Sequence, residues 1–420
     1  MRPDPHHRTV VGRTLLVIAL GAGVAGCSAV GDPLSAEPYD AADQISFNGP
    51  TAEGGAADPD TPLEILAEDS DGRITDVTAV DTKGRHVAGE LAADGSRWHS
   101  TSPLVADASY TIRVSTEGVN GAPGRKVLAL TTGKPAGKSK NLGVVFGPEA
   151  GTYGVGQPLT AELTEPVGDP AQRAVVERGL KVSSTPSVGG AWHWVDDKKL
   201  HFRPKDYWPE NATVRVRSTL EGVRINDRLR GARTEPLTIR TGDRVVAVTD
   251  VAAHRLTVYK GDKQIRTIPV TAGKPGFETR NGIKVVLGKE RTVQMRSSSI
   301  GIAEGSAESY DMPVHFAARV TWSGEYVHAA PWSVGSQGYA NVSHGCVGMS
   351  TGEAEWFYGT VRRGDLVTVV NSGGTDMEPF GNGFGDWNLS WTEWRAGSAL
   401  PGGAAGPVPE ERARLRPQPA

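Results

Sequence analysis

"GEYVHAAPWSVGSQGYANVSHGCVGMSTGEAEWFY", residues 324–358, carries Cys346, one of only two cysteines in 420 residues. A cysteine nucleophile needs a base to make its thiolate and donors for the oxyanion it creates. The strand-like start of the stretch carries His328, eighteen residues ahead of Cys346. A histidine at a strand end and a cysteine on a following loop can meet in space. His344 is nearer in sequence, but an i, i+2 neighbour on a loop often points elsewhere. Gly345 lets the backbone bend closely, so the amides of Gly345 and Cys346 are candidate oxyanion donors and can help hold a thiolate. Read as bare residues, Cys346 can equally be a buried space-filler and His328 a structural histidine. The histidines lack the paired spacing of a zinc site.

Downstream the pattern turns helical. Ser350 and Glu353 have capping-box spacing. Ala354, Phe357, Tyr358 and Val361 then share one face. Gly364 closes the helix and "DLVTVV" (365–370) is an apolar strand. Cys346 therefore sits on a loop just before a capped helix. Upstream, from about 243, "DRVVAVTDVAAHRLTVYKGDKQIRTIPVTAG" predicts strands joined by tight turns, with "KGDK" closing one hairpin.

The rest of the chain is strand-prone, in keeping with 53 Gly and 28 Pro. Short β-prone runs broken by turn residues fill 49–134 and return over 143–241. The two segments share an echo, "IRVSTEGV" (112–119) against "VRVRSTLEGV" (214–223). They read as two tandem Ig-like sandwiches, with one larger β domain as the alternative. The predicted class is mainly β: two sandwiches, then a β-rich third domain over 243–371 with a short helix after the cysteine. Residues 372–398, with Trp387, Trp391 and Trp394, are expected to pack on that third domain. Residues 399–420 read as a disordered tail.

The N-terminus decides whether Cys346 is free. A basic stretch (1–13) and a short apolar run (14–26) have the layout of an export signal. The run ends at "VAGC" (24–27), which resembles the bacterial lipobox; an ordinary signal peptide is the plainer alternative. A lipobox implies cleavage before Cys27, lipid on its thiol, and a membrane anchor on the extracytoplasmic face. Residues 27–48 then read as a flexible tether. With Cys27 consumed, Cys346 is a lone thiol in an oxidising setting, a candidate reactive group. A net charge of −3 gives no support for nucleic-acid binding.

The histidine on a strand, the loop length and the S-H-G-C before a helix together resemble the catalytic segment of L,D-transpeptidases, the YkuD-type cell-wall enzymes. "HRLTVYKGDKQIRTIPVTAGK" resembles their opening hairpin, "ETRNGIKVVLGK" their Thr-x-x-Gly strand, and "SYDMPVHFAARVTWSGEYVHA" their lid and the strand to the histidine. The likeness covers most of the chain and is strongest over 243–398. It implies Cys346 as the acylated nucleophile and His328 as its base, with the carbonyl of Ala329 orienting the ring. It implies His344, Gly345 and Tyr310 around the oxyanion, and Met295, Trp332 and Ser343 near the substrate, though Met295 and Trp332 also suit plain core packing. Partners would be donor and acceptor stem peptides of peptidoglycan, with carbapenem β-lactams as covalent inhibitors and no cofactor or metal. The implied reaction makes 3→3 cross-links with loss of the terminal D-Ala. The alternative is an L,D-carboxypeptidase or endopeptidase that gives the same thioester to water. One departure stands out: Gly348 occupies the place where relatives carry Arg or Asn.

Overall fold

Alternation of side chains builds the first sandwich. In the strand Ser109–Glu117, Tyr110, Ile112, Val114 and Thr116 point inward while their neighbours face out. That strand lies between Arg73–Asp81 and Pro123–Thr131, and a second sheet of Ile45–Phe47, Glu64–Ala67, Arg97–Ser100 and Gly89–Leu91 faces it. Ile65, Ile74, Trp98, Ile112 and Leu130 fill the space between them. The computed structural model describes residues 37–50, 55–68, 72–134 and 139–401. The signal-like segment, Cys27 and residues from 402 onward lie outside the described residues.

The tether reading to residue 48 is corrected at its end. Tyr39–Asp40 pairs in parallel with Gly124–Arg125, and Ile45–Phe47 pairs antiparallel with Ile65–Ala67. The polar neighbours of this short stretch hid two buried apolar residues, Ala41 and Ile45, the second of which anchors the strand.

The second sandwich has its own core, built around Trp192, Phe202, Leu159, Leu200 and Val214. One sheet orders Val144–Gly147, Leu159–Leu163, Lys199–Pro204 and Gly190–Trp194; the other orders Thr152–Tyr153, Leu237–Thr241, Thr213–Ser218 and Leu180–Thr185. A helix, α1 (Pro170–Gly179), interrupts what the sequence presents as strands throughout. Its start is locally encoded: the Asp169 side chain accepts from the Gln172 amide at 3.0 Å, and Pro170 sits in the first turn. The two sandwiches are joined where Arg85 donates to the carbonyl of Glu221 at 2.9 Å and Lys83 pairs with Glu221 at 2.7 Å.

The third domain is again two sheets. In chain order its elements are β1 (Val245–Asp250), β2 (Arg255–Lys260), β3 (Lys263–Pro269), β4 (Gly282–Val285), β5 (Gly288–Arg296), β6 (Asp311–Arg319), β7 (Tyr326–Ala329), β8 (Val347–Met349), α2 (Thr351–Thr360) and β9 (Leu366–Val370). One sheet has the order β3-β2-β1-β9-β4, the other β5-β6-β7-β8. Val258, Ile268, Val327, Met349 and Val367 pack between them with Phe357 of α2. The Ser350 side chain caps α2 by accepting from the Glu353 amide. The helix ends at Thr360; Gly364, at φ +90°, belongs to the turn after it and does not close the helix itself.

The Trp-rich segment packs on the third domain and on the second sandwich. On the third domain the Asn388 side-chain oxygen accepts from the Ile283 amide at 2.7 Å, Asn281 exchanges backbone bonds with Thr375 and Met377, and Asn382 accepts from the amides of Trp322 and Ser323. Its tryptophans, however, face the second sandwich. Trp394 is fully buried and donates to the Ala191 carbonyl, Trp387 donates to the Gly156 carbonyl, and Arg203 lies 4.6–5.6 Å from the ring centres of Trp387, Trp391 and Trp394. Arg203 also donates to the Leu389 carbonyl at 2.7 Å. Aromatic content announces burial, but it does not say against what.

Candidate active site

Parallel pairing of β7 with β8 sets the site. Val327 lies opposite Val347, and His328 opposite Gly348, so the loop ending at Cys346 is delivered to the head of β7. Cys346 is free and half-buried, with its sulfur turned inward. Its thiol donates to the Gly324 carbonyl at 3.5 Å, and the Tyr326 amide points at the sulfur. His328 is 5% exposed, and its Nδ1–H donates to the Ala329 carbonyl at 2.8 Å. That bond selects the tautomer and leaves Nε2 as an unprotonated base.

Both groups are neutral at rest. Desolvation pushes the Cys346 thiol up to about 12 and His328 down to about 4. No standing thiolate is stored there, so a nucleophilic role for this sulfur would require loss of its proton during attack.

The nucleophile loop is tied by its oxygens. Thr279 donates to the Gly345 carbonyl at 2.8 Å, and Ser343 donates to the Cys346 carbonyl at 2.6 Å. Gly345 takes φ +115°, a conformation that side chains other than glycine rarely adopt. Its amide donates to the Ser343 hydroxyl at 3.2 Å, whereas the Cys346 amide has no hydrogen-bond partner among the described residues. The two candidate oxyanion donors thus differ: one is engaged and one is open.

The remaining predicted residues are placed unevenly. The His344 ring reaches the lid between β5 and β6, where its Nε2 meets Glu308 at 2.6 Å. Lys274 also reaches Glu308, at 2.5 Å, and these partners hold that carboxyl below the ordinary range. Tyr310, at the end of the lid, lies 5.2 Å from the His344 ring; burial raises its hydroxyl. Trp332 is 54% exposed and lies face-on to His328 with 6.1 Å between ring centres, which rules out core packing for it. Met295 stands opposite Met312 on the β5–β6 hairpin, partly buried and outside the domain core.

Gly348 has a packing reason. A β-carbon there would stand 2.8 Å from the Ala330 methyl and 3.1 Å from that of Thr271. The space for an Arg or Asn is already filled by those two residues, so a longer side chain at 348 requires the strand to move.

Three site residues escaped the sequence reading: Glu308, Lys284 and Glu325. Lys284 and Glu325 form a buried ion pair at 2.5 Å beside the thiol segment. Each is a lone charge beside apolar residues, in "GIKVV" and "GEYVHA", and that was the available signal. Among the described residues no three His, Cys, Asp or Glu side chains converge as a metal site.

A profile for the L,D-transpeptidase catalytic domain matches residues 244–369, and one for a bacterial Ig domain matches residues 55–224, spanning both sandwiches. The chain is 35% identical over 340 residues to L,D-transpeptidase 2 of Mycobacterium tuberculosis, covering 81% of each protein. It is 30% identical over 417 residues to L,D-transpeptidase 5 of the same species, covering 96% of this chain and 89% of that one. Among solved structures, L,D-transpeptidase 3 of Mycobacterium tuberculosis in complex with a faropenem-derived adduct is 32% identical, covering 54% of this chain and 97% of that one, with a TM-score of 0.45.

Proposed function

This chain belongs to the L,D-transpeptidase family, and on that footing we propose that it joins peptidoglycan stem peptides through a thioester on Cys346. The observation that carries this reading is the β7–β8 register, which brings the Cys346 loop to the strand of a histidine whose Nδ1–H is committed to Ala329. Nε2 of His328 takes the thiol proton as sulfur attacks the carbonyl of the L-centre at stem position three. The open amide of Cys346 receives the oxyanion. Collapse expels D-Ala, protonated by His328. An acceptor amine then gives its proton to His328 and takes the acyl group, which yields the 3→3 cross-link and restores the thiol. No ATP is consumed, because one amide bond replaces another.

Carbapenems enter by the same route, their strained carbonyl standing in for the donor. Tyr310 and Trp332 flank the cleft that takes the donor. The two sandwiches lift the catalytic domain into the wall from a lipid on Cys27. Cys27→Ser is expected to move the protein from the membrane to the soluble fraction; unchanged membrane retention would remove the lipid anchor from this account.

The product made from a tetrapeptide stem, with and without an acceptor amine, tests the reaction. A cross-linked dimer plus free D-Ala supports transfer. Tripeptide plus D-Ala, even with acceptor present, makes the protein a carboxypeptidase. No D-Ala in either case removes the reading altogether.

A further inference from the structure

Glu325 sits between the two backbone groups that hold the thiol, the Gly324 carbonyl and the Tyr326 amide. Its own side chain turns into the interior and is 7% exposed as a residue. It accepts from Lys284 Nζ at 2.5 Å, and from the amide and guanidinium of Arg280 at 3.1 and 3.2 Å. Lys284, on β4, is wholly buried, and its ammonium also donates to the Arg280 carbonyl at 2.8 Å. The pair therefore bridges the two sheets at the segment against which the sulfur rests. A buried ion pair is a poor way to gain stability, since apolar residues of similar volume do as well or better. Its place next to the thiol calls for another reason.

We propose that Lys284 and Glu325 are positioning residues for Cys346: the pair locks Gly324–Tyr326 against the thiol and sets the charge around the sulfur. The ammonium favours the thiolate and the carboxylate opposes it, in line with the opposite effects of the two charges on this thiol. The other titratable groups facing this region are Tyr326 and His328 on β7 and Tyr310 on the lid. Glu378 of the C-terminal segment stands 3.7 Å from Arg280. None of them changes in the variants below. The proposal rests on Cys346 being the nucleophile, but its test reads thiol ionisation directly and does not require transpeptidation.

The experiment is the pH profile of iodoacetamide alkylation, read by intact mass, on the full chain carrying Cys27→Ser so that Cys346 is the single thiol. Lys284→Met is expected to move the midpoint upward by about one pH unit, which slows alkylation about tenfold at a fixed pH below it. Glu325→Gln is expected to move it downward. A purely structural pair would shift both variants the same way, or neither, and either result overturns the proposal. The double variant leaves no unpaired charge between Lys284 and Glu325, which guards against misfolding of the single variants. Its midpoint is expected to return close to that of the parent; a midpoint displaced as far as in Lys284→Met also overturns the proposal.

Discussion

Replacing His328 with Gln is expected to slow acylation of Cys346 by about 10²–10⁴-fold, the usual contribution of a positioned general base. The loss is large because the resting thiol is a poor acid: burial holds it up at about 12, so little thiolate is present at neutral pH. On the proposed mechanism attack is coupled to proton transfer, with Nε2 of His328, left free by the Nδ1–H bond to the Ala329 carbonyl, as the acceptor. The same geometry predicts the pH profile. Burial lowers His328 to about 4, so the acidic limb of kcat/KM for the free enzyme should lie near 4, well below the ordinary histidine value of 6.5. Burst kinetics with a carbapenem, followed by mass, would measure both. A limb near 6.5, or a Gln variant as fast as the parent, would remove His328 from the role.

Stability follows the same residue, and the sign can be worked out. Between 6.5 and about 4 the unfolded chain binds a proton that the folded chain refuses. The fold therefore loses stability as pH falls through that window, by about 3 kcal/mol in all from this residue. Cys346 acts at the opposite end. Its folded value is raised from 9.0 to about 12, so its contribution is present below 9 and is lost as pH rises above it.

Trp394→Ala is expected to cost about 3–5 kcal/mol, the range for emptying a fully buried aromatic site. More than a cavity is at stake. Trp394 is one of three rings around Arg203, a cation that burial brings down to about 10 and that stays charged at neutral pH. It also donates to the Ala191 carbonyl, a bond that its removal deletes. Calorimetry should then resolve separate transitions for the second sandwich and the catalytic domain, and proteases should cut within 372–398 first. A single unshifted transition would show that the segment does not hold the two domains together.

What was legible in sequence depended on how far apart the partners lie. His328, Cys346 and the Ser350 cap fall within one short stretch, and the parallel β7–β8 pairing that joins the first two needs no distant element. The edge residues Tyr39 and Ile45 were not legible, because they pair with strands 20 to 85 residues away under a polar composition. Helix α1 was hidden by its weak apolar face; Val176 is its one fully buried apolar side chain. The tryptophans of the C-terminal segment announced burial, yet their partner Arg203 lies more than 180 residues upstream. Lys284 and Glu325 looked like stray charges until the two sheets brought them face to face.

The clamp around Arg203 has a mechanical consequence. The core of the second sandwich runs on without a break into Val285 and Leu366 of the catalytic domain, and Gly154 and Gly156 donate to Arg363 and Gly364 across the same seam. With the Trp segment fastened over it, this junction has no hinge. The cleft then keeps one bearing relative to the second sandwich, as a blade does on a fixed handle. On the proposed reading, the reach of the site is then set by the tether and the first sandwich, and donor and acceptor strands are joined only within that reach.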